Sequence, residues 1–230
     1  MVAVDTAARG RAPMSERRRT LLRLEISRAA VRLFRTHGVA ATSGERIGAA
    51  VGLSARTVWR YFGTKESCVE PVLVRSIEPA VSTLRCWPPD RTLAEHLLAE
   101  YRPPAGPEEA ADADAGLAVI ALARTEPGLR AVWLAVHERA EQVLAEALAG
   151  RLGRAADDVE VRVHAAAIAA ALRISGEDVA AEVAAGAAPA DPVSRLCTAL
   201  RAATDGVGAA VGAPVATATT SVDIRPGEPE

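Results

Sequence analysis

Apolar residues recur along the chain at helical spacing. From Ser15 onward, Leu22, Ile26, Ala29, Ala30, Leu33 and Phe34 repeat at three- and four-residue steps, with Arg19, Arg23, Arg28 and Arg32 falling between them. That pattern predicts an amphipathic helix, capped by Ser15 and ended by His37-Gly38. Two very short helical patterns follow at about 44–51 and 55–61, separated by Gly52-Leu53-Ser54. Isolated helices of that length are unstable, so packing on the first helix must hold them. A longer helix is expected from near Thr64 to about Cys86, bent at Pro71 and Pro79 and stopped by Trp87-Pro88-Pro89. Further helices are expected at about 91–101, 108–124, 127–150, 157–174, 177–185 and 191–207. Pro103 to Pro107, Glu126-Pro127-Gly128 and the stretch from Gly186 to Pro192 mark breaks between them.

The predicted fold is all-α. A flexible basic arm spans 1–15, a three-helix head 16–63, a larger helical body 64–207, and a disordered tail 208–230. Composition agrees: half of the residues are apolar but only 3% are aromatic, and alanine is abundant, which favours closely packed helices over sheets.

Charge adds a polarity that the net value of -2 hides. Residues 1–70 hold 13 Arg or Lys against 6 Asp or Glu, and the remainder holds 14 against 23. A basic head is drawn to a phosphate backbone that an acidic body avoids. Cys68, Cys86 and Cys197 are far apart and show no CxxC or Cys/His spacing, so no disulfide framework or metal site is expected, and no cofactor. The longest apolar run, Ala165 to Leu172, falls far short of a membrane span, and the N-terminus has no signal-peptide core. A cytoplasmic protein without membrane contact is expected.

The stretch from Ala41 to Glu66 has the parts of a helix-turn-helix. Ile47, Ala50 and Val51 are expected to point inward from the first short helix. Gly52 allows the turn, Leu53 plugs the angle between the helices, and Ser54 caps the second helix, whose positive end can face a phosphate. Val58 and Phe62, four apart, anchor that helix. Arg56, Thr57, Trp59, Arg60 and Tyr61 are left on or near its outer face. The bland alternative is a helical hairpin with a solvated basic surface in which Trp59 or Tyr61 belongs to the core.

The series Ile47, Ala50, Gly52, Leu53, Ser54, Thr57, Trp59, Tyr61, Phe62, Lys65 and Glu66, preceded by Phe34, His37 and Gly38, resembles the DNA-binding region of the tetracycline-repressor (TetR) family over about residues 18–70. The resemblance implies a dimer whose head binds operator DNA and whose helical body binds a small molecule and pairs through its last helices. It implies phosphate contacts from Thr42 or Ser43, from Tyr61 and from Lys65. It places Ser54, Ala55, Arg56, Thr57, Trp59 and Arg60 against DNA. Arg9, Arg11 and Arg17 to Arg19 could extend the contact. Three positions depart from the family pattern: Gly44 stands for an apolar residue, Gly48 for alanine and Trp59 for the commoner tyrosine. The two glycines are expected to loosen the second helix.

Candidate effector-pocket residues are Trp87, His96, Tyr101, Arg124, Trp133, His137 and Arg173, although such residues singly are more often core or surface structure. For pairing, one stripe runs through Val159, Val163, Ala166, Ala167, Ala170 and Ile174. A second runs through Val193, Leu196, Cys197, Leu200 and Val207. The expected function is a ligand-responsive regulator, a repressor released from a palindromic operator. An enzyme is not expected, because no nucleophile, base and orienting group are marked by motif.

Overall fold

Serine hydroxyls start each helix of the N-terminal part. Ser15 Oγ accepts from the Arg18 amide at 3.4 Å, Ser43 Oγ from Arg46 at 3.4 Å and Ser54 Oγ from Thr57 at 3.2 Å. Each satisfies an amide that the helix itself leaves without a partner. Gly38, at φ 79°, closes the first helix, and Gly52, at φ 68°, makes the turn between the two short ones, backbone angles that residues with a Cβ rarely adopt.

The computed structural model describes residues 15–88, 90–102, 104, 106–188 and 191–204. In order, these form α1 (Glu16–His37), α2 (Gly44–Ala50), α3 (Ala55–Tyr61), a 3-10 turn (Glu66–Val69), α4 (Glu70–Arg85), α5 (Leu93–Glu100), α6 (Pro107–Leu122), α7 (Pro127–Leu152), α8 (Val159–Ala184) and α9 (Pro192–Thr204). The fold is all-α, and no strand occurs among the described residues. The expected arm with Arg9 and Arg11, Val207 and the tail at 208–230 lie outside the described residues.

Several expectations need correction. The helix near Thr64 is a 3-10 turn followed by α4, with Pro71 in the first turn of α4 and only Pro79 inside it. The two segments at 157–174 and 177–185 are one helix, α8. Ser175 and Gly176 do not break it because Leu172, Ser175 and Ala180 continue its buried face. At Gly176, a Cβ would lie 3.7 Å from the Trp133 ring, so neighbouring helices pack over the glycine. Ala50 is exposed, so Ile47 alone of its trio is fully buried.

The first core joins head to body. Ile26, Phe34, Ile47, Val58 and Phe62 share one buried cluster with Val72, Leu73, Ile120, Leu129 and Trp133. A second cluster, built on Leu84, Leu97, Leu144, Ile168, Leu172 and Leu200, fills the far end of the body. Leu196, Cys197 and Leu200 of α9 point into that second core, so this expected pairing stripe packs inside the subunit. The α8 stripe differs. Val159, Val163 and Ile174 are 72%, 60% and 48% exposed.

Candidate nucleic-acid interface and effector site

Helix α3 has two unlike faces. Val58 is fully buried and Phe62 nearly so, and the Arg23 guanidinium covers the Phe62 ring at 4.7 Å while donating to the Tyr61 carbonyl at 3.1 Å. The helix is thus held from behind by α1. On its other face Arg56, Trp59 and Arg60 are exposed, and Ala55, Thr57 and Tyr61 are half-buried. Arg60 lies 5.2 Å from the Tyr61 ring centre. Ser54 Oγ and Thr57 Oγ1, 2.9 Å apart, share a hydrogen bond at the start of the helix.

Arg56 and Arg60 form no ion pair with any described residue. Other head arginines are engaged. Arg28 meets the Asp112 carboxylate with two hydrogen bonds, 2.6 and 2.8 Å, Arg35 meets Asp114 at 2.6 Å, and Arg23 lies 3.7 Å from Glu70. The positive excess of the head therefore divides. One part clasps the acidic body, and another part faces away on α3. Asp112 also faces Arg75 at 3.4 Å, and its hydrogen bonds to Arg28 hold the carboxyl below the usual range despite burial.

Two expected DNA contacts are engaged elsewhere. Thr42 is 2% exposed and its hydroxyl donates to the Gly38 carbonyl at 2.9 Å. The Lys65 ammonium donates to the carbonyls of Val39 at 2.6 Å, Thr42 at 3.2 Å and Ala40 at 3.5 Å. A lysine at this spacing answers carbonyls at the end of the α1–α2 turn, a partner that sequence proximity hides. Ser43 remains exposed.

The two unusual glycines have structural causes. A Cβ on Gly44 would lie 2.0 Å from Trp59 Cζ2, and one on Gly48 would lie 2.6 Å from the Leu53 carbonyl oxygen. The Leu53 amide donates to the Gly48 carbonyl at 2.8 Å. They mark close approach, of the Trp59 ring at Gly44 and of the Leu53 carbonyl at Gly48.

Two matches to family models cover most of the described fold. Residues 26–72 match the model for bacterial regulatory proteins of the tetR family, and residues 107–212 match the MftR C-terminal domain. The chain belongs to the TetR family of transcriptional regulators. TetR-family proteins bind DNA and small molecules, typically dimerise, and are generally not enzymes. Salmonella enterica GusR shares the fold: TM-score 0.50, 22% identity, 82% of this chain and 96% of that one covered. A TetR-family regulator from Streptomyces coelicolor aligns with TM-score 0.45 and 20% identity over 80% of this chain and 97% of its own. No curated protein matches. Among the described residues no helix is long and apolar enough to cross a membrane, and no group of His, Cys, Asp and Glu is placed to hold a metal.

The expected effector residues of this TetR-family body fall into separate places. Trp133, His137 and Arg173 come together. The Trp133 indole donates to Glu177 Oε1 at 3.0 Å, Arg173 to the same oxygen at 3.1 Å, and Arg130 pairs with it as well. His137 meets the Trp133 ring edge-on, 4.0 Å between centroids. Arg130 and Glu177 were not expected there. Their signal was the i, i+3 spacing of Arg130 to Trp133 and the i, i+4 spacing of Arg173 to Glu177. Trp87, His96 and Tyr101 lie instead at the second core. The Trp87 indole donates to the Arg91 carbonyl at 2.8 Å under the Arg151 guanidinium, and the His96 ring bonds the Thr83 carbonyl at 2.8 Å. Arg124 is exposed beyond the end of α6 and lines neither group.

Proposed function

We propose that this regulator is an effector-responsive repressor that holds a palindromic operator as a homodimer and releases it when a small molecule enters the body. The observation that carries the reading is the outer face of α3. Arg56, Trp59 and Arg60 are exposed, and neither arginine has an ion-pair partner among the described residues, on a helix whose opposite face is locked into the core. A guanidinium on such a helix can read guanine through two hydrogen bonds. Thr57, Tyr61, Ala55, Ser54 and Ser43 would flank the contact, with Arg17 to Arg19 adding charge from α1.

The exposed Val159, Val163 and Ile174 on α8 support pairing through that helix, with Ala166, Ala167 and Ala170 allowing close approach. Two-fold symmetry would then present two α3 helices to two half-sites. Release follows from differential binding: an effector that fits better when α6 is displaced disfavours the DNA-bound arrangement. The Arg28–Asp112 pair supports this route because it ties α6 to α1.

Selection of DNA from a random pool by the full-length protein tests the reading. A palindromic consensus is expected, with binding lost when Arg56 and Trp59 are both replaced by alanine. Selection of no consensus, or binding that survives the double replacement, overturns it.

A further inference from the structure

A cleft opens where the C-terminal ends of α4 and α7 meet the middle of α8, with an empty volume, mouth included, of about 310 Å³. Leu84, Leu144, Leu148 and Ile168, all buried, give it an apolar wall, and Arg85, Trp87 and Arg151 lie along the same cleft. The volume falls at the low end of the range for small-molecule sites, which combine apolar lining with a few placed polar groups.

The two arginines differ in what holds them. Arg151 is fixed: it donates to the Pro88 carbonyl at 2.5 Å and to the Arg91 carbonyl at 3.2 Å, and its guanidinium lies 3.6 Å from the centre of the Trp87 ring. The Trp87 indole donates to that same Arg91 carbonyl at 2.8 Å, so ring and guanidinium form one unit before any ligand arrives. Arg85 is exposed and bonds to no described residue, which leaves its fork of N–H donors open to an anion. The body is acidic overall, yet screening beyond about 8 Å lets the guanidiniums at the cleft set the local sign. An ammonium would face like charges there, and a neutral molecule would gain only from burying its apolar part. A carboxylate can pair with Arg85 in matching planar geometry while its carbon chain covers the leucines.

We infer that this cleft binds a small amphipathic carboxylate, with Arg85 as its anchor and the Leu84–Leu144–Ile168 wall as the seat of its chain. The inference rests on the effector-responsive reading above and gives its effector a chemical class. Leu84 and Arg85 belong to α4, and α4 is tied to α6: Arg75 lies 3.4 Å from Asp112, and a Cβ on Gly116 would sit 2.6 Å from the Ser76 Cβ. A ligand that shifts α4 therefore moves α6, and with it the Arg28–Asp112 link to the head.

Calorimetric titration of the full-length protein with octanoate, octan-1-ol and octylammonium tests this, because the three share one chain and differ in the charge at its end. Octanoate is expected to bind at one site per chain, about tenfold more tightly than octan-1-ol, and octylammonium is expected not to bind. Arg85→Gln, a change at an exposed position, should remove most of the octanoate advantage. Ala147→Trp, which fills the cleft from its half-buried side, should weaken octanoate and octan-1-ol together while circular dichroism shows a folded protein. Equal affinity for octanoate and octan-1-ol, octylammonium binding as well as octanoate, octanoate binding unchanged by Arg85→Gln, or no octanoate binding at all overturns the assignment. A band shift on the DNA that selection yields separates the two ideas. Octanoate that binds with the stated preference without loosening DNA overturns the effector-responsive reading and leaves the carboxylate site standing. DNA released by a molecule whose affinity Arg85→Gln and Ala147→Trp leave unchanged does the reverse.

Discussion

Trp59 lies over Gly44 so closely that a Cβ at position 44 would sit 2.0 Å from the indole Cζ2. The large ring on the recognition helix and the missing side chain on the helix before it form one unit. Both depart from the family's usual residues, and the structure joins them. The half-exposed indole is seated by α2, so its position on the outer face of α3 is set by packing between the two helices.

Gly44→Ala is expected to destabilise the protein by about 1–3 kcal/mol through overpacking. It should also weaken operator binding by displacing the ring. In the Gly44→Ala, Trp59→Ala pair the stability losses should be less than additive, with a coupling of at least about 0.5 kcal/mol. Urea denaturation of the four proteins measures this; strict additivity would show that the two residues are independent.

Lys65 should behave as a clamp on the α1–α2 turn. Lys65→Met is expected to cost about 1–2 kcal/mol of stability by leaving carbonyls unpaired, with little change in the salt dependence of DNA binding. Arg56→Ala should reduce the slope of log affinity against log salt by about 0.9 if it meets one phosphate, or relax base preference if it reads a base. A slope change in Lys65→Met equal to that in Arg56→Ala would show that the lysine meets phosphate.

The Arg28–Asp112 pair links two residues 84 positions apart, and the Asp112 side chain is only 4% exposed. Asp112→Asn should cost about 1.5–3 kcal/mol near neutral pH. The folded carboxyl titrates below its ordinary value of 3.8, so its contribution is complete above that value and disappears as pH falls through the lower folded value. The stability gap between native protein and variant should therefore close in acid. Urea melts at pH 7 and pH 3 check the direction, and the same variant should uncouple effector binding from DNA release.

His137 carries the opposite dependence. Burial, the largest influence, lowers its pKa below 6.5, outweighing the Trp133 carbonyl; Arg173 and Arg130 push the same way, and Glu177 opposes them. Below pH 6.5 the unfolded chain binds the proton more readily, so stability should fall as pH drops from there toward the folded value and level off below it. Comparing melting temperatures at pH 7.5 and 5.5 should show a smaller drop in His137→Phe than in the native protein.

Val163→Glu should weaken pairing of two copies through α8 without unfolding the subunit, because Val163 is 60% exposed. Sedimentation velocity is expected to show monomers where the native protein is dimeric, with loss of tight operator binding. A native protein already monomeric at micromolar concentration would refute pairing through this face.

The head was legible from local chemistry. Ser15, Ser43 and Ser54 each cap a helix by accepting from the amide three residues on, Gly38 and Gly52 turn the chain where they stand, and Val58 and Phe62 share a face because they are four apart. Such effects depend on residues within one helical turn, which the order of amino acids specifies directly. What periodicity cannot specify is what covers a face. The stripes on α8 and α9 have the same spacing, yet Leu196 and Leu200 meet the second core while Val159 and Val163 meet solvent. Partners far apart in the chain decided the rest: the turn carbonyls that hold Lys65, the Asp112 that holds Arg28, and the Glu177 that gathers Arg130, Trp133 and Arg173. Those pairings arise only when helices close on one another, because burial then forces each polar group to find a neighbour.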